Sequence, residues 1–194
     1  MGSYIKTSGS GGARDIEGVD LPWRFDSIQS GGGLLMDVGC HVVDRIDYIC
    51  GPLIEVKGNA HNKCQPRQGM VEDYVHLSSG IGSSAWAAIP AGKGSSVECT
   101  WDFSLLDDDS DNIDELQFEG PKGSIKMAGN SPAGSIQIFD SGGKKLRELV
   151  FSMPEHTAQS LIQAITNDLR GLGKSDVLSY GENAIRTQKV SGGR

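Results

Sequence analysis

The chain has 194 residues, 37% of them hydrophobic and 22% charged, which is the balance of a folded globular domain rather than a disordered segment. Its formal net charge of −7, with no basic stripe, argues against nucleic acid and anionic membrane surfaces as partners. No apolar run reaches the roughly 18 residues that a membrane span needs, and no secretory signal is visible. We therefore expect a soluble, cytoplasmic protein.

Glycine and serine mark the expected domain boundaries. Residues 1–20 are polar and glycine-rich, which predicts a flexible lead-in. Residues 21–190 are expected to form a single domain, and residues 191–194 a tail. The cysteines at positions 40, 50, 64 and 99 form no CxxC pair, which favours free thiols in a reducing compartment.

The first predicted helix follows a glycine turn at residues 31–33 and stops at Gly51. At helical period it carries one apolar stripe, made of Leu34, Leu35, Val38, Val42, Ile46 and Ile49. A second, polar stripe is made of Asp37, His41, Asp44 and Tyr48. This helix should therefore pack one side on a core and turn the other to water.

Apolar and polar residues alternate through the middle of the chain, as in a sheet with one wet face. The predicted strands are residues 54–58, 71–77, 84–89, 96–103, 115–119, 124–127, 135–139 and 146–151. Two helices follow, at residues 155–170 and about 181–190. Because strands and helices do not alternate, the predicted fold class is α+β, a large, open, mostly antiparallel sheet with helices packed on one face.

Asp37 and His41 are the best candidates for chemistry. A carboxylate one helical turn before an imidazole can hydrogen-bond it and tune it for proton transfer. The alternative is a solvated helix face on which the pair adds only a few tenths of a kcal/mol. The glycine turn would let a ligand approach the backbone, and Gly39 costs roughly 1 kcal/mol in a helix unless close packing or access requires it.

These residues resemble a known family. The glycine turn followed by Asp37-x-Gly39-x-His41-x-x-Asp44 is similar to the C-terminal domain of the Gfo/Idh/MocA oxidoreductases. Trp23-Arg24, Val71-Glu72-Asp73 and the helix near His156 fit that domain as well. The resemblance implies a sheet that binds a sugar or polyol on one face and forms homo-oligomers through neighbouring sheets.

The resemblance also implies residue roles and a cofactor. Asp37 and His41 would contact substrate hydroxyls, with His41 as the catalytic acid/base, and Trp23 and Arg24 would complete the substrate-binding set. NAD or NADP is implied for the full-length enzyme. The family's Rossmann domain and catalytic lysine are not found in this sequence, so we expect the chain to bind no cofactor alone and to be inactive alone.

Several weaker motifs are better explained without a ligand. Gly80-x-Gly82 imitates a nucleotide loop but predicts a hairpin turn, and the acidic stretch at residues 107–112 lacks the glycine and glutamate of an EF-hand. His61 with Cys64 lacks a second pair of zinc ligands. Trp86 and Trp101 could stack on a sugar, but packing in a core or an interface is the simpler interpretation.

Three functions remain open at this point. The chain could be the substrate-binding and oligomerisation domain of an NAD(P)-dependent oxidoreductase acting on a sugar, polyol or similar secondary alcohol. It could instead be a non-catalytic dimerisation or regulatory module derived from such an enzyme. A self-standing sugar-binding domain that uses Asp37, His41 and Trp23 is the third.

Overall fold

A computed structural model describes residues 4–10, 23, 26–33, 35–62, 71–84, 87, 92–102, 113–131, 134–172 and 181–192. The elements, in chain order, are β1 (Tyr4–Ser10), α1 (Ser27–Ser30), a π-helical turn (Leu35–Gly39), α2 (Cys40–Cys50), β2 (Leu53–His61), β3 (Tyr74–Ile81), β4 (Ser96–Asp102), β5 (Asp114–Gly120), β6 (Gly123–Met127), β7 (Ser135–Asp140), β8 (Lys145–Val150), α3 (Gln159–Leu169) and α4 (Gly181–Gly192).

The described strands form one eight-stranded sheet in the order β2-β3-β4-β1-β5-β6-β7-β8. Among the described pairs, β1 runs parallel to β4 and every other pair is antiparallel. The predicted α+β class and the mostly antiparallel open sheet are confirmed.

The core lies between α2 and one face of β3 and β4. Burial alternates strictly along both strands, and the register pairs Val75 with Trp101 and Leu77 with Cys99 on the buried face. From α2, the apolar positions 42, 43, 46 and 50 complete this core. The predicted amphipathic helix is confirmed in part, since Val42 and Ile46 of the expected apolar stripe are buried whereas Val38 and Ile49 are half-buried. Its glycine stop is confirmed at Gly51, whose φ of 111° is accessible to glycine and strained for other residues.

The start of the chain corrects the sequence prediction. β1 lies inside the sheet between β4 and β5, whereas residues 1–20 were expected to form a flexible lead-in. A strand held between two neighbours is fixed by backbone hydrogen bonds, which need no particular side chain, so a glycine- and serine-rich composition hides it. Residues 11–20 lie outside the described part of the chain.

Other differences fall in the connection after β3. The strand expected at residues 84–89 lies mostly outside the described residues, and Ser84 and Ala87 belong to no strand. Gly80 lies within β3 instead of in a turn, and Gly82 follows the strand. Trp101 is 2% exposed, which confirms core packing, whereas Trp86 lies outside the described residues.

The metal alternatives find no support in the described part of the chain. No group of three or more potential metal-binding side chains occurs there. His61 packs its ring against that of Tyr74 with centroids 4.9 Å apart, and both Cys64 and the acidic stretch 107–112 lie outside the described residues. The thiols of Cys40, Cys50 and Cys99 are free, as predicted.

Both closing helices are confirmed, but they differ in packing. α4 packs against α2, with Thr187 buried. No residue of α3 is buried, and its apolar side chains at positions 161, 162, 165 and 169 are exposed. None of the helices described is both long and apolar enough to cross a membrane.

Candidate functional site

The site segment begins with a capped turn. The Asp26 carboxylate accepts hydrogen bonds from the backbone N–H groups of Ile28 and Gln29, at 2.8 and 3.3 Å, and so caps α1. A further hydrogen bond from the Gln29 side chain is the largest of the effects that lower the pKa of Asp26. Gly31, at φ 69°, ends this short helix and turns the chain toward the π-helical turn.

Glu72 then fixes the start of the π-helical turn. Its Oε1 accepts the backbone N–H of Leu35 at 3.1 Å, so a residue from just before β3 satisfies a donor at the start of the helical segment. A Cβ on the buried Gly33 would overlap the Glu72 carboxylate. The glycine turn therefore does permit a close approach, but the group that approaches Gly33 is this protein's own Glu72.

Gly39 has a packing role, one of the two reasons expected for a helical glycine. A Cβ at this position would lie 2.6 Å from Leu35 Cδ1 and 3.5 Å from the Trp101 ring. The junction between the π-helical turn and α2 therefore sits directly on the core.

Asp37 and His41 are both exposed, on either side of this junction. The same segment contains the buried Leu35 and Gly39, and the backbone N–H of Asp37 donates to the Gly33 carbonyl at 3.1 Å. A π-helical turn is wider than an α-helical one, so Asp37 is rotated relative to its position in a uniform helix. An exposed carboxylate and imidazole on a rigid support can bind hydroxyl groups and exchange a proton with them.

Cys40 lies between them in sequence but is not a candidate nucleophile. Burial raises the pKa of its thiol, and the nearby charges of Asp37 and Asp44 raise it further. The group is therefore a neutral thiol at physiological pH, whereas reactive cysteines need a thiolate.

Two other acidic side chains of α2, Asp44 from the predicted polar stripe and Asp47 from outside it, have structural partners. Asp44 accepts a hydrogen bond from the Thr187 hydroxyl at 3.1 Å, and Asp47 forms a two-point ion pair with Arg186 at 2.6 and 2.9 Å. Asp44 therefore joins α2 to α4, whereas Asp37 and His41 face water.

The substrate-binding residues expected upstream are less well defined. Trp23 is 52% exposed, and its carbonyl accepts the backbone N–H of Asp26 at 3.3 Å, which ties it to the start of α1. Arg24 lies outside the described residues. The structure thus places Asp37 and His41 on one helical segment, and the roles of all four residues, Trp23 and Arg24 included, stay predictions.

A concave region lies on the other face of the sheet. A shallow depression of about 680 Å³ spans β5, β6 and β7 and includes Gln117, Lys126, Gln137 and Phe139 among its lining residues. Gln117, Lys126 and Gln137 are register partners, and their strand neighbour Leu116 is fully buried on the opposite face. This depression is therefore on the open face, away from the core that supports His41.

The described structure is an α+β domain, with a mostly antiparallel sheet and the helix that carries His41 packed on one face. The sequence matches the profile of the GFO/IDH/MocA C-terminal domain over residues 8–126. The chain therefore belongs to the GFO/IDH/MocA family of oxidoreductases, as its C-terminal domain. A search of curated proteins returned no match.

Solved structures agree on the fold. An aldose-aldose oxidoreductase from Caulobacter crescentus complexed with glycerol superimposes with a TM-score of 0.73 at 18% sequence identity, and the match covers 99% of this chain and 52% of that protein. An NAD binding oxidoreductase from Klebsiella pneumoniae superimposes with a TM-score of 0.70 at 14% sequence identity, and the match covers 98% of this chain and 55% of that protein. An oxidoreductase domain protein from Kribbella flavida superimposes with a TM-score of 0.65 at 14% sequence identity, and the match covers 97% of this chain and 55% of that protein. The chain thus spans about half the length of these proteins.

Two supporting contacts were missed from sequence. Glu72 and Leu35 are 37 residues apart, and Arg186 and Asp47 are 139 apart, so no local pattern links either pair. The available signal for the first was indirect, since a run of three glycines before a helix indicates that something approaches the backbone there.

Proposed function

We propose that this chain is the substrate-binding and oligomerisation domain of an NAD(P)-dependent oxidoreductase that acts on a sugar, polyol or similar secondary alcohol. The observation that carries this proposal is the exposure of Asp37 and His41 on a segment anchored by Glu72, Leu35 and Gly39. Side chains that face water from a rigid base suit ligand binding better than core packing.

In this proposal His41 is the acid/base. A neutral imidazole carries a ring nitrogen that can accept the hydroxyl proton of a secondary alcohol, and a nicotinamide held elsewhere in the enzyme would supply the hydride acceptor. Asp37 accepts a hydrogen bond from an adjacent hydroxyl or orients the His41 ring. Trp23 and Arg24 border the sugar, with the exposed indole offering an apolar face to ring carbons.

The cofactor belongs to a part of the enzyme beyond this chain. The matched structures are about twice as long, and one of them is described as NAD binding. We propose that a cofactor-binding domain covers the exposed apolar stripe of α3, because a contiguous apolar surface of this kind marks an interface. The isolated chain is then expected to bind the alcohol weakly and to transfer no hydride.

We also propose that copies associate through the open face of the sheet. On β3 and β4 this face carries Tyr74, His76, Glu98 and Thr100, none of them buried, and the His76 ring lies 3.1 Å from Glu98. A sheet face of half-exposed polar and aromatic groups suits an interface between subunits. The free thiols suit the cytoplasm, which is the compartment we propose.

Calorimetry tests the binding role directly. The chain is titrated with glycerol, glucose, xylose and inositol, and with NAD and NADP. We expect heat from at least one polyol, its loss in His41→Ala and Asp37→Asn, and its retention in His156→Ala, whose exposed histidine lies before α3. A chain that binds NAD(P) tightly, or no polyol at all, would contradict the proposal.

A second candidate function is a non-catalytic dimerisation or regulatory module, and the exposed stripe of α3 favours it, with a second copy of the chain as the occupant. The discriminating variant is His41→Ala within a complete enzyme that contains this domain. Loss of turnover with the oligomeric state unchanged supports the oxidoreductase role. Loss of assembly with turnover per assembled enzyme retained supports the module.

A further inference from the structure

We propose that Glu72 is a positioning residue that sets the geometry of Asp37 and His41 by locking the start of the segment that carries them. This inference rests on the proposed function in so far as that function makes Asp37 and His41 the reacting pair. The geometric part concerns this chain alone.

The contact is well placed for such a role. The first N–H groups of a helical segment lack partners within the helix, and the positive end of its dipole favours a carboxylate. Glu72 supplies one from outside the helix, at 3.1 Å from the Leu35 nitrogen. Gly33, which is buried, leaves the space that the carboxylate fills.

Glu72 is itself held by the sheet. Its neighbours Val71 and Asp73 are 5% and 4% exposed, and the Asp73 backbone N–H donates to the His61 carbonyl at 3.3 Å. The Glu72 carboxylate therefore fixes the π-helical turn relative to the end of β2 and the start of β3.

The π-helical turn is the element that this contact controls. The turn begins at Leu35 and ends at Gly39, and these two residues pack against each other. Asp37 therefore lies on a single helical turn that is fixed at both ends. π-Helical turns are rare overall and are frequent at functional sites. Without the Glu72 contact the segment can rewind toward a regular α-helix, which rotates Asp37 relative to His41.

The test uses the four histidines of the chain, whose imidazole signals can be resolved by NMR after isotope labelling. Glu72→Ala is expected to move the His41 signal and to leave those of His76 and His156 in place. Glu72→Gln, which keeps an acceptor oxygen, is expected to return His41 toward its original position. Glu98→Ala is the matched control, because it removes the carboxylate beside His76 and should move only that signal.

A folded Glu72→Ala protein with an unmoved His41 signal would overturn the proposal. If that variant does not fold, Gly33→Ala decides, because its added methyl displaces the carboxylate without removing it. A shift of His41 in Gly33→Ala then supports the proposal, and an unmoved signal overturns it.

Polyol titration separates this proposal from the function on which it rests. If the unaltered chain binds a polyol, Glu72→Ala is expected to weaken binding roughly tenfold, since small misplacements of binding groups are costly. If the unaltered chain binds none, the proposed function fails, while the NMR shift of His41 still decides the role of Glu72.

Discussion

At the scale of single residues, the space around Gly39 gives a sharp prediction. In an exposed helix, Gly→Ala stabilises by roughly 1 kcal/mol. Here the new methyl would lie 2.6 Å from Leu35 Cδ1, so we expect Gly39→Ala to destabilise the fold by about 1–3 kcal/mol, measured by urea unfolding. Gly92→Ala is the control, because no atom lies within 4 Å of its added methyl. A Gly39→Ala protein as stable as the parent would contradict this prediction and would show that the Leu35 side chain moves aside at no net cost.

The Asp47–Arg186 pair gives a second prediction at this scale. The Asp47 side chain is 4% exposed, and its hydrogen bonds raise the pKa of Arg186. Arg186→Ala leaves a buried carboxylate without its cation, so we expect a loss of roughly 2–4 kcal/mol in unfolding free energy.

Two further variants check that assignment. Arg186→Lys keeps the charge but cannot make the two-point contact, so its loss should be smaller. Asp47→Asn combined with Arg186→Ala should cost less than the sum of the two single changes, and strict additivity would mean that the pair is not coupled.

At the scale of elements, the β7–β8 hairpin carries a pH-dependent contact. The Ser135 hydroxyl donates to the Glu148 carboxylate at 2.5 Å, and the Lys145 ammonium donates to the same carboxylate at 2.9 Å. These two contacts lower the pKa of Glu148 from 4.5 to about 2. A carboxyl with a lowered pKa stabilises the fold above pH 4.5, and that contribution is lost as the pH falls toward about 2.

We therefore expect Glu148→Gln to weaken the hairpin at pH 7 and to have a shrinking effect between pH 4.5 and 2. Carboxyl NMR titration measures the value directly. Ser135→Ala removes the largest cause and should raise the pKa of Glu148 toward 4.5. A Glu148 that titrates near 4.5 in the unaltered chain would contradict the hairpin geometry.

Sequence patterns predicted elements well where burial alternates or where a glycine ends a helix. β4 and β7 were found within a few residues because one strand face is apolar, and α2 stops at Gly51 as expected. β1 was missed because its place depends on pairing with β4 and β5, which come much later in the chain. The register of a strand between two distant neighbours is a long-range property.

At the scale of the whole molecule, the exposed apolar side chains of α3 can be compared with the buried ones of α2. Ile162 is 59% exposed, whereas Ile46 is fully buried. We expect Ile162→Asp to change the unfolding free energy by less than about 0.5 kcal/mol and to reduce binding of a cofactor-binding domain supplied separately. Ile46→Asp should prevent folding. Strong destabilisation by Ile162→Asp would show that α3 packs within this chain.

The candidate site was predictable in part. Asp37 and His41 stand out in the sequence by their spacing, and the structure leaves both exposed, while their role stays a prediction. The contacts that anchor this helical segment could not be predicted, because those of Glu72 and Arg186 join segments far apart in sequence. The local pattern also assigned Asp44 to the same stripe, although the π-helical turn and the Thr187 contact separate it from the pair.

The most direct test of the account follows the four imidazole signals during titration of the unaltered chain with the same polyols. We predict that the His41 signal moves in a saturable way and that those of His61, His76 and His156 do not. Saturable shifts confined to the other histidines, or none at His41 at the highest polyol concentration, would contradict the assignment of this helix as the substrate site.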